Sequence, residues 1–455
     1  MIQSNTSRHA RMTQISIPAL VLSLAAPSAI TMIVIALYTL ADAYFVSSLG
    51  TAAGAAVGVV FAVHVLLQAV GYTLGMGGGS LLSRALGRKD EKQASEYATV
   101  ALLFGAACGI LITVLSLLFR HRLLLLLGAT ESIYQFALDY AIPLFWSALP
   151  TCLSFVLGQL LRAEGKAVYS MVGQGAGCLA NILLDPLLIR NVGLGIAGAS
   201  IATLISQCLS CLLLFSAYWN GKTRIRLLSG FRPSILSRIG TIVVTGLPSL
   251  LRQGLSGMAT ILLNHAAALH GDAAVTALSI VNRLFLFVFS ICLGFGQGMM
   301  PVVGYNVGSG NAERAKRAYW FALWGSTVSM ALISIPLLIW APKWIGFFRA
   351  DPDVIAIGAR ALRLQALVLF SHGLVTCTIL FLQAMGRALP ATTLAAARQG
   401  IFFLPLILAL PRRFSLQGLI LTQPLADAAT LLFALPFAFF AFRNVWKGDV
   451  KGEGS

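Results

Sequence analysis

Acidic residues are scarce in this chain. Asp and Glu together number 15 in 455 residues against 32 Lys and Arg. Charged residues of all four types make up only 10% of the sequence, where a soluble globular chain carries roughly 25%. That shortage excludes an ordinary water-soluble domain. With 58% hydrophobic residues and a mean hydropathy of +0.86, the composition is that of an integral membrane protein. All seven Cys fall in apolar stretches, which argues against a disulfide framework. The CxxC pair Cys208 and Cys211 reads as small packing residues rather than a redox or metal motif. His64, His265 and His372 are scattered over different apolar stretches, a pattern of satisfied or cleft-facing side chains and not of metal ligands. HExxH is absent, no GxGD-like context accompanies any intramembrane acid, and no Ser has a His/Asp partner motif. An intramembrane aspartyl enzyme, the reading from a different functional class, therefore has little to stand on.

What is present is a regular alternation of apolar runs and short polar loops. Spans of about 20 apolar residues are expected near 17–43, 54–82, 97–119, 133–160, 168–190, 197–219, 240–268, 273–303, 318–341, 354–384, 391–411 and 417–441. A net charge of +17 would suggest nucleic acid in a soluble protein, but here the basic residues alternate between loops. With the N-terminus inside, 20 of them fall in inner segments and seven in outer ones, the latter being Arg120, Arg122, Arg190, Lys343, Arg349, Arg412 and Arg413. This asymmetry places both termini in the cytoplasm and leaves no role for nucleic acid. Ala41-Asp42-Ala43 resembles a cleavage site, but the apolar run before it is too long for a signal-peptide core, so it is read as uncleaved.

Against this background, Asp185 stands out inside CLANILLDPLLIRNVGLGIAGASIATLISQ, residues 178–207. An acid at membrane depth costs about 2.5 kcal/mol or more on insertion scales and is a functional-site hypothesis by default. Asn181 lies one turn earlier on the same helical face, and Pro186 removes the hydrogen bond that would cap the Ile182 carbonyl. Oxygen groups gathered round a carboxylate suit a proton or a hard cation such as sodium. Asp42, with Tyr38 one turn before it, is the second such acid. Spans one and five run outward and meet Asp42 and Asn181–Asp185 near their outer ends. Span four begins there with Asp139 and Tyr140, and span six meets Thr203 soon after Gly198. Four spans thus bring polar groups to one level, a candidate cation pocket. Asp427 in the last span is the remaining deep acid, expected to serve as partner to an intramembrane Arg or to act in transport.

The chain is internally duplicated at a constant shift of 221 residues. Gly50-Thr51-Ala52-Ala53 falls on Gly271-Asp272-Ala273-Ala274, Gly75 on Gly296, Gly77 on Gly298, Gly87 on Gly308, and Leu161, Ala163, Gly165 and Ala167 on Leu382, Ala384, Gly386 and Ala388. Six spans are an even number, so the halves share one orientation and form a parallel repeat about an axis along the membrane normal. The expected organisation is a first lobe at 1–219, a cytoplasmic linker at 220–239, a second lobe at 240–441 and a cytoplasmic tail at 442–455. Asp42 maps onto Leu263, and Asp185 maps within a residue of Pro405 or Leu406, so the two acids belong to the first half alone.

The stretches LYTLADAYFVSSLG, SLLSRALGRKDEKQASEYA, LRAEGKAVYSMV, NILLDPLLI with GLGIAGASIATLISQ, GYNVGSGNAERAKRA and LQAMGRALPATT, in this order, resemble the multidrug and toxic compound extrusion (MATE) family, in its DinF-like branch. The resemblance implies an all-α membrane fold of twelve transmembrane helices in two pseudo-symmetric six-helix lobes arranged as a V. It implies export of lipophilic, mostly cationic drugs in exchange for H+ or Na+, with no other cofactor, by a monomer in the bacterial inner membrane whose partners are small organic molecules and lipid. It carries the coupling roles onto Asp42, Asn181, Asp185 and Thr203, with Tyr140 as neighbour. The branch with additional acids in spans seven and ten is not matched, because span seven has Arg252 and the interior of span ten has no acid. A lipid-linked saccharide flippase of the same superfamily is the alternative. It would need a strongly cationic cleft, for which Arg252, Arg283, Arg363 and Arg398 are available.

Overall fold

The computed structural model describes residues 10–47, 49–227 and 237–443. Among the described residues the regular structure is entirely helical. Twelve passes correspond to the twelve expected spans. They are α1 (Ile17–Ser47), α2 (Thr51–Gly87), α3 (Glu91–Leu118), α4 (Glu131–Trp146 with Ala148–Ala163), α5 (Ala167–Pro186), α6 (Gly195–Trp219), α7 (Ile239–Ala268), α8 (Asp272–Gly308), α9 (Ala312–Ile339), α10 (Pro352–Leu367 with Ser371–Ala384), α11 (388–414) and α12 (416–443). Eight helices are individually long and apolar enough to cross a membrane, and the bent pairs of α4 and α10 raise the number to 10. The last of the eight, Ala388–Phe439, has 52 residues. At 1.5 Å per residue it would reach roughly 80 Å, more than twice a hydrocarbon core of about 30 Å. It folds into α11 and α12 at Ser415, whose backbone takes φ 52° and ψ −134°. The twelfth pass is α7, made less apolar by Arg252, Gln253, Asn264 and His265.

The duplication extends to the backbone. At the same 221-residue shift, the starts of α2, α3, α4 and α5 (51, 91, 131, 167) fall on those of α8, α9, α10 and α11 (272, 312, 352, 388). The bend after Trp146 in α4, 48°, answers the bend after Leu367 in α10, 56°. Left-handed Gly50 and Gly165 answer left-handed Gly271 and Gly386. The caps repeat as well: the Asp90 side chain accepts from the Gln93 amide (2.8 Å) and that of Asn311 from the Arg314 amide (3.3 Å), each satisfying one donor of a helix first turn.

By contact the chain forms two compact units, Ile30–Leu250 and Met1–Ala29 with Leu251–Ser455. The expected lobes, 1–219 and 240–441, follow the repeat, whereas these units divide α1 and α7 internally. The divisions lie beside Pro27 and Pro248, which are themselves related by the shift. Each proline withholds the amide that would bond the carbonyl four residues back, so each helix has a weak point at its division. Glycine makes the packing on either side possible. A Cβ on Gly298 would collide with the backbone of Ala25, and one on Gly77 with the carbonyl of Ile242, again at equivalent positions. The linker residues that are described dock on the unit containing α3. Arg224 pairs with Glu91 (3.2 Å), Arg238 with Glu96 (2.6 Å), and the Arg226 amide donates to Ser95 (3.3 Å). In the other unit, Asn306 Nδ2 donates to the Met12 carbonyl (3.2 Å) and Arg314 to the carbonyls of Met12 and Ile15. Residues 228–236 of the linker and 444–455 of the tail lie outside the described residues.

Candidate functional site

The residues expected to form the site come from α1, α4, α5 and α6 within the unit Ile30–Leu250. Close approach of α5 and α6 comes first. Gly177 has no side chain where a Cβ would lie 2.8 Å from the Ser206 carbonyl, and one turn further along each helix this proximity brings Asn181 to Thr203. Asn181 Nδ2 donates to Thr203 Oγ1 at 3.3 Å and to Asp185 Oδ1 at 3.4 Å. Asn181 and Asp185 are 1% and 0% exposed, so the i, i+4 face does point inward. Immediately after Pro186 the helix widens into a π-helical stretch, Leu187–Asn191. Such a stretch is often found beside functional sites. From α4, buried Tyr140 directs its hydroxyl to the Asp42 carboxylate. Asp42 in turn lies within electrostatic reach of Asp185.

The chemistry of this set is defined by what its oxygens lack. Asp42 Oδ1, Asn181 Oδ1 and Asp185 Oδ2 are buried without a hydrogen-bond partner among the described residues. Among the described residues no Lys or Arg contributes to the electrostatics of Asp42 or Asp185. Three acceptor-only oxygens with two formal negative charges and no cation nearby fit a proton or a small hard cation. Among the described residues no three His, Cys, Asp or Glu side chains come together, so the neutral oxygens of Asn181 and Thr203 are needed to complete such a set.

The structure thus brings together all five expected residues, Asp42, Tyr140, Asn181, Asp185 and Thr203. Asp139 does not join them: it accepts from Gln135 Nε2 at 2.9 Å on the exposed side of α4. Neighbouring residues on a helix diverge by about 100°, so Asp139 and Tyr140 do not share a face. A polar pair beside the pocket was not expected. Tyr38, one turn before Asp42, bonds His64 Nε2 at 2.8 Å, and Gln68 Nε2 approaches the same nitrogen at 2.8 Å. The i, i+4 spacing of His64 and Gln68 was a local signal for it.

Asp427 has a different environment in the other unit. Its Oδ1 accepts from Arg398 Nε at 2.7 Å and from Gln423 Nε2 at 2.9 Å. His372 Nε2 stands 3.2 Å from Oδ2, an approach within ion-pair distance but outside hydrogen-bond geometry. Arg398 also lies over the rings of Phe285 (5.0 Å) and Phe289 (5.8 Å). Of the two roles expected for Asp427, partner to an intramembrane Arg is the one its contacts show.

Comparison with known proteins agrees with this architecture. The chain is 28% identical over 411 residues to the multidrug export protein MepA of Staphylococcus haemolyticus, covering 90% of each. It superposes on a crystal structure of a MATE in the straight conformation with a TM-score of 0.89 at 25% identity, covering 97% of this chain and 99% of that one. With a MATE in the bent conformation the TM-score is 0.86 at 26% identity, covering 96% and 97%. The MatE family model matches residues 27–187 and 248–408, two stretches displaced by the same 221 residues that relate the halves. With both copies of its repeat matched by one model, the chain belongs to the MatE family, which is a family of membrane transporters and not of enzymes.

Proposed function

We propose that this protein is a secondary antiporter of the bacterial inner membrane. It exports lipophilic, mostly cationic organic compounds and takes up H+ or Na+ at Asp42, Asn181, Asp185, Thr203 and Tyr140. The observation that carries the proposal is the pair of acids whose buried oxygens have no hydrogen-bond partner and no Lys or Arg neighbour among the described residues. Such a site is electrostatically incomplete without a cation. The similarity to MepA proteins, named as multidrug exporters, supports the substrate class. The distribution of basic residues supports cytoplasmic termini, which places the pocket towards the outer face, where an ion driven inward enters first. One charge moving inward supplies about 2.3 kcal/mol per 100 mV and each pH unit about 1.4 kcal/mol, enough for export against a gradient of tens to hundreds per ion.

Ion binding is read out by α1. Asp42 lies beyond Pro27 on this helix, and the stretch before Pro27 packs on α8 through Gly298. Neutralising the site draws α1 onto α4 and α5, and the turn at Pro27, whose ring nitrogen has no hydrogen to donate to the carbonyl four residues back, takes up the bend. The protein acts as a monomer, with organic solutes as its partners and the ion as its only co-substrate. Purified protein in liposomes, given a pH or a Na+ gradient separately, should export an ethidium-like dye under at least one of them. Asp42→Asn combined with Asp185→Asn should abolish the response. Equal gradient-driven export by the double variant overturns the coupling role of these residues.

A further inference from the structure

Arg360 and Arg363 lie one turn apart on α10, and both line a groove of about 590 Å³ in the unit that lacks the acid pair. Gln417 of α12 and Pro342 of the short helix Ala341–Phe348 face it as well. No Asp or Glu lines it, and the rest of its wall is apolar. At i, i+3 two like charges meet on one helix face and repel. A guanidinium in a membrane-spanning segment also needs a partner. Arg363 Nε donates to the Leu338 carbonyl at 3.2 Å, and no ion pair among the described residues includes either arginine. The acids nearest along α10, Asp351 and Asp353, stay at its start, where the Asp351 side chain accepts from the Asp353 and Val354 amides.

The fold does not require these charges. At the 221-residue shift Arg360 corresponds to Asp139, Arg363 to Ile142 and Gln417 to Ile196. The first copy makes the same bent helix, α4, with an acid and an isoleucine at the two arginine positions. The groove also stands at a definable depth. Trp340 and Trp344, 51% and 40% exposed, flank Pro342, and tryptophan collects at the boundary between membrane and water. The Leu338 carbonyl that receives Arg363 lies two residues before Trp340, so this arginine reaches the level of the lipid headgroups.

We propose that this groove binds one anionic phospholipid of the surrounding membrane. Its phosphate sits between the two guanidinium groups, whose fork of donors matches phosphate oxygens. Gln417 donates to a headgroup oxygen, and the upper part of an acyl chain lies against Ile355 and Ile420. A volume within the roughly 300–1,000 Å³ of ligand pockets accommodates a headgroup with the start of its chains, and not a whole lipid. Apolar walls at the membrane boundary favour a lipid over a dissolved anion, which would leave those walls in water. The site is separate from the acid pair and does not depend on the coupling role proposed for it.

The test is native mass spectrometry of the full-length protein released from micelles that hold equal amounts of dioleoylphosphatidylglycerol and dioleoylphosphatidylcholine. One retained phosphatidylglycerol per chain is expected, preferred over phosphatidylcholine by about tenfold or more. Arg360→Gln with Arg363→Gln should abolish the preference, and Gln417→Glu, which sets a carboxylate against the phosphate, should lower it severalfold. Arg120→Gln with Arg122→Gln, exposed basic residues of the other unit, should keep it. No preference in the parent protein, an undiminished preference in both groove variants, or an equal loss in the Arg120 and Arg122 variant overturns the proposal. Displacement of the lipid by millimolar inorganic phosphate also overturns it, because the ligand would then be a dissolved anion. If the double arginine variant fails to elute as a monodisperse species, Gln417→Glu, at an exposed position, decides in its place.

Discussion

The two units each bury a carboxylate in a six-helix repeat, and they treat it in opposite ways. Asp427 is met by Arg398, His372 and Gln423, and only Oδ2 lacks a hydrogen bond. Asp42 and Asp185 are met by neutral donors, Tyr140 and Asn181, and each leaves one oxygen bare. The repeat makes the comparison sharper, because the clusters do not occupy equivalent positions. At the 221-residue shift, Arg398 corresponds to Gly177, His372 to Thr151 and Asp427 to Ser206, while Asp42 corresponds to Leu263. Duplication supplied the scaffold twice, and each copy then placed its charges at different points of it. A carboxylate with its own guanidinium is a structural element whose charge is already spent. A carboxylate pair without one remains available to an external cation.

The largest expected effect follows from that difference. Replacing both Asp42 and Asp185 by Asn should reduce ion-driven dye export to the protein-free background, whereas Asp427→Asn should retain coupling in whatever fraction of the protein stays folded. Stability should respond in the reverse sense. Asp427→Asn leaves the part-buried Arg398 guanidinium without its carboxylate and is expected to cost about 3 kcal/mol, seen as a fall in Tm in detergent. Asp427→Asn with Arg398→Leu should recover most of that loss. Asp42→Asn removes a charge that nothing in the protein compensates, and at pH 9 it should leave Tm unchanged or raise it. A fall in Tm for Asp42→Asn comparable to that of Asp427→Asn would show that the two acids are not of different kinds.

How much of this was legible in the sequence depended on how far apart the partners lie along the chain. Asn181 and Asp185 share a helix turn, so their common face could be read directly. Tyr140 and Thr203 were placed by depth, which counts residues from the membrane edge and needs no knowledge of the fold. The same count admitted Asp139, because depth alone does not distinguish residues about 100° apart around a helix. Tyr38 with His64, and His372 with Arg398 and Asp427, join helices through packing angles that no local pattern encodes. The internal division of α1 and α7 between the two units was equally hidden. Pro27 and Pro248 stand at equivalent positions of the repeat, but which helix lies against Gly77 and which against Gly298 is set by packing.

A smaller effect probes the neutral half of the ion site. Thr203→Val keeps the shape of the side chain and removes its oxygen, which leaves Asn181 Nδ2 with only the longer bond to Asp185. Losing one such hydrogen bond is worth about 1 kcal/mol, or roughly fivefold in an equilibrium constant. The coupling-ion concentration that gives half-maximal export should rise by about that factor while the maximal rate is retained. An unchanged half-maximal concentration would confine the ion to the two carboxylates and remove Thr203 from the site.

The smallest effect concerns the scaffold itself, at a point where the two copies of the repeat disagree. After α2 the chain turns through Lys89 with φ 63°, and after α8 the equivalent turn is made by Gly310 with φ 75°. A left-handed backbone costs a side-chain-bearing residue about 1–2 kcal/mol, while glycine's greater freedom in the unfolded chain returns roughly 0.5–1 kcal/mol of that difference. Lys89→Gly should therefore stabilise the first turn by about 0.5–1 kcal/mol, and Gly310→Lys should destabilise the second by a similar amount, both measured as shifts in Tm. The strained residue is a lysine that shares its loop with Arg88 and is flanked by Arg84 in the last turn of α2 and Lys92 in the first turn of α3. Positive charge in a short loop helps to fix which side of the membrane it occupies. A stabilising Lys89→Gly substitution would show that the charge at this turn is kept at the expense of folding free energy, whereas the second copy, with glycine, keeps the relaxed backbone and gives up the charge.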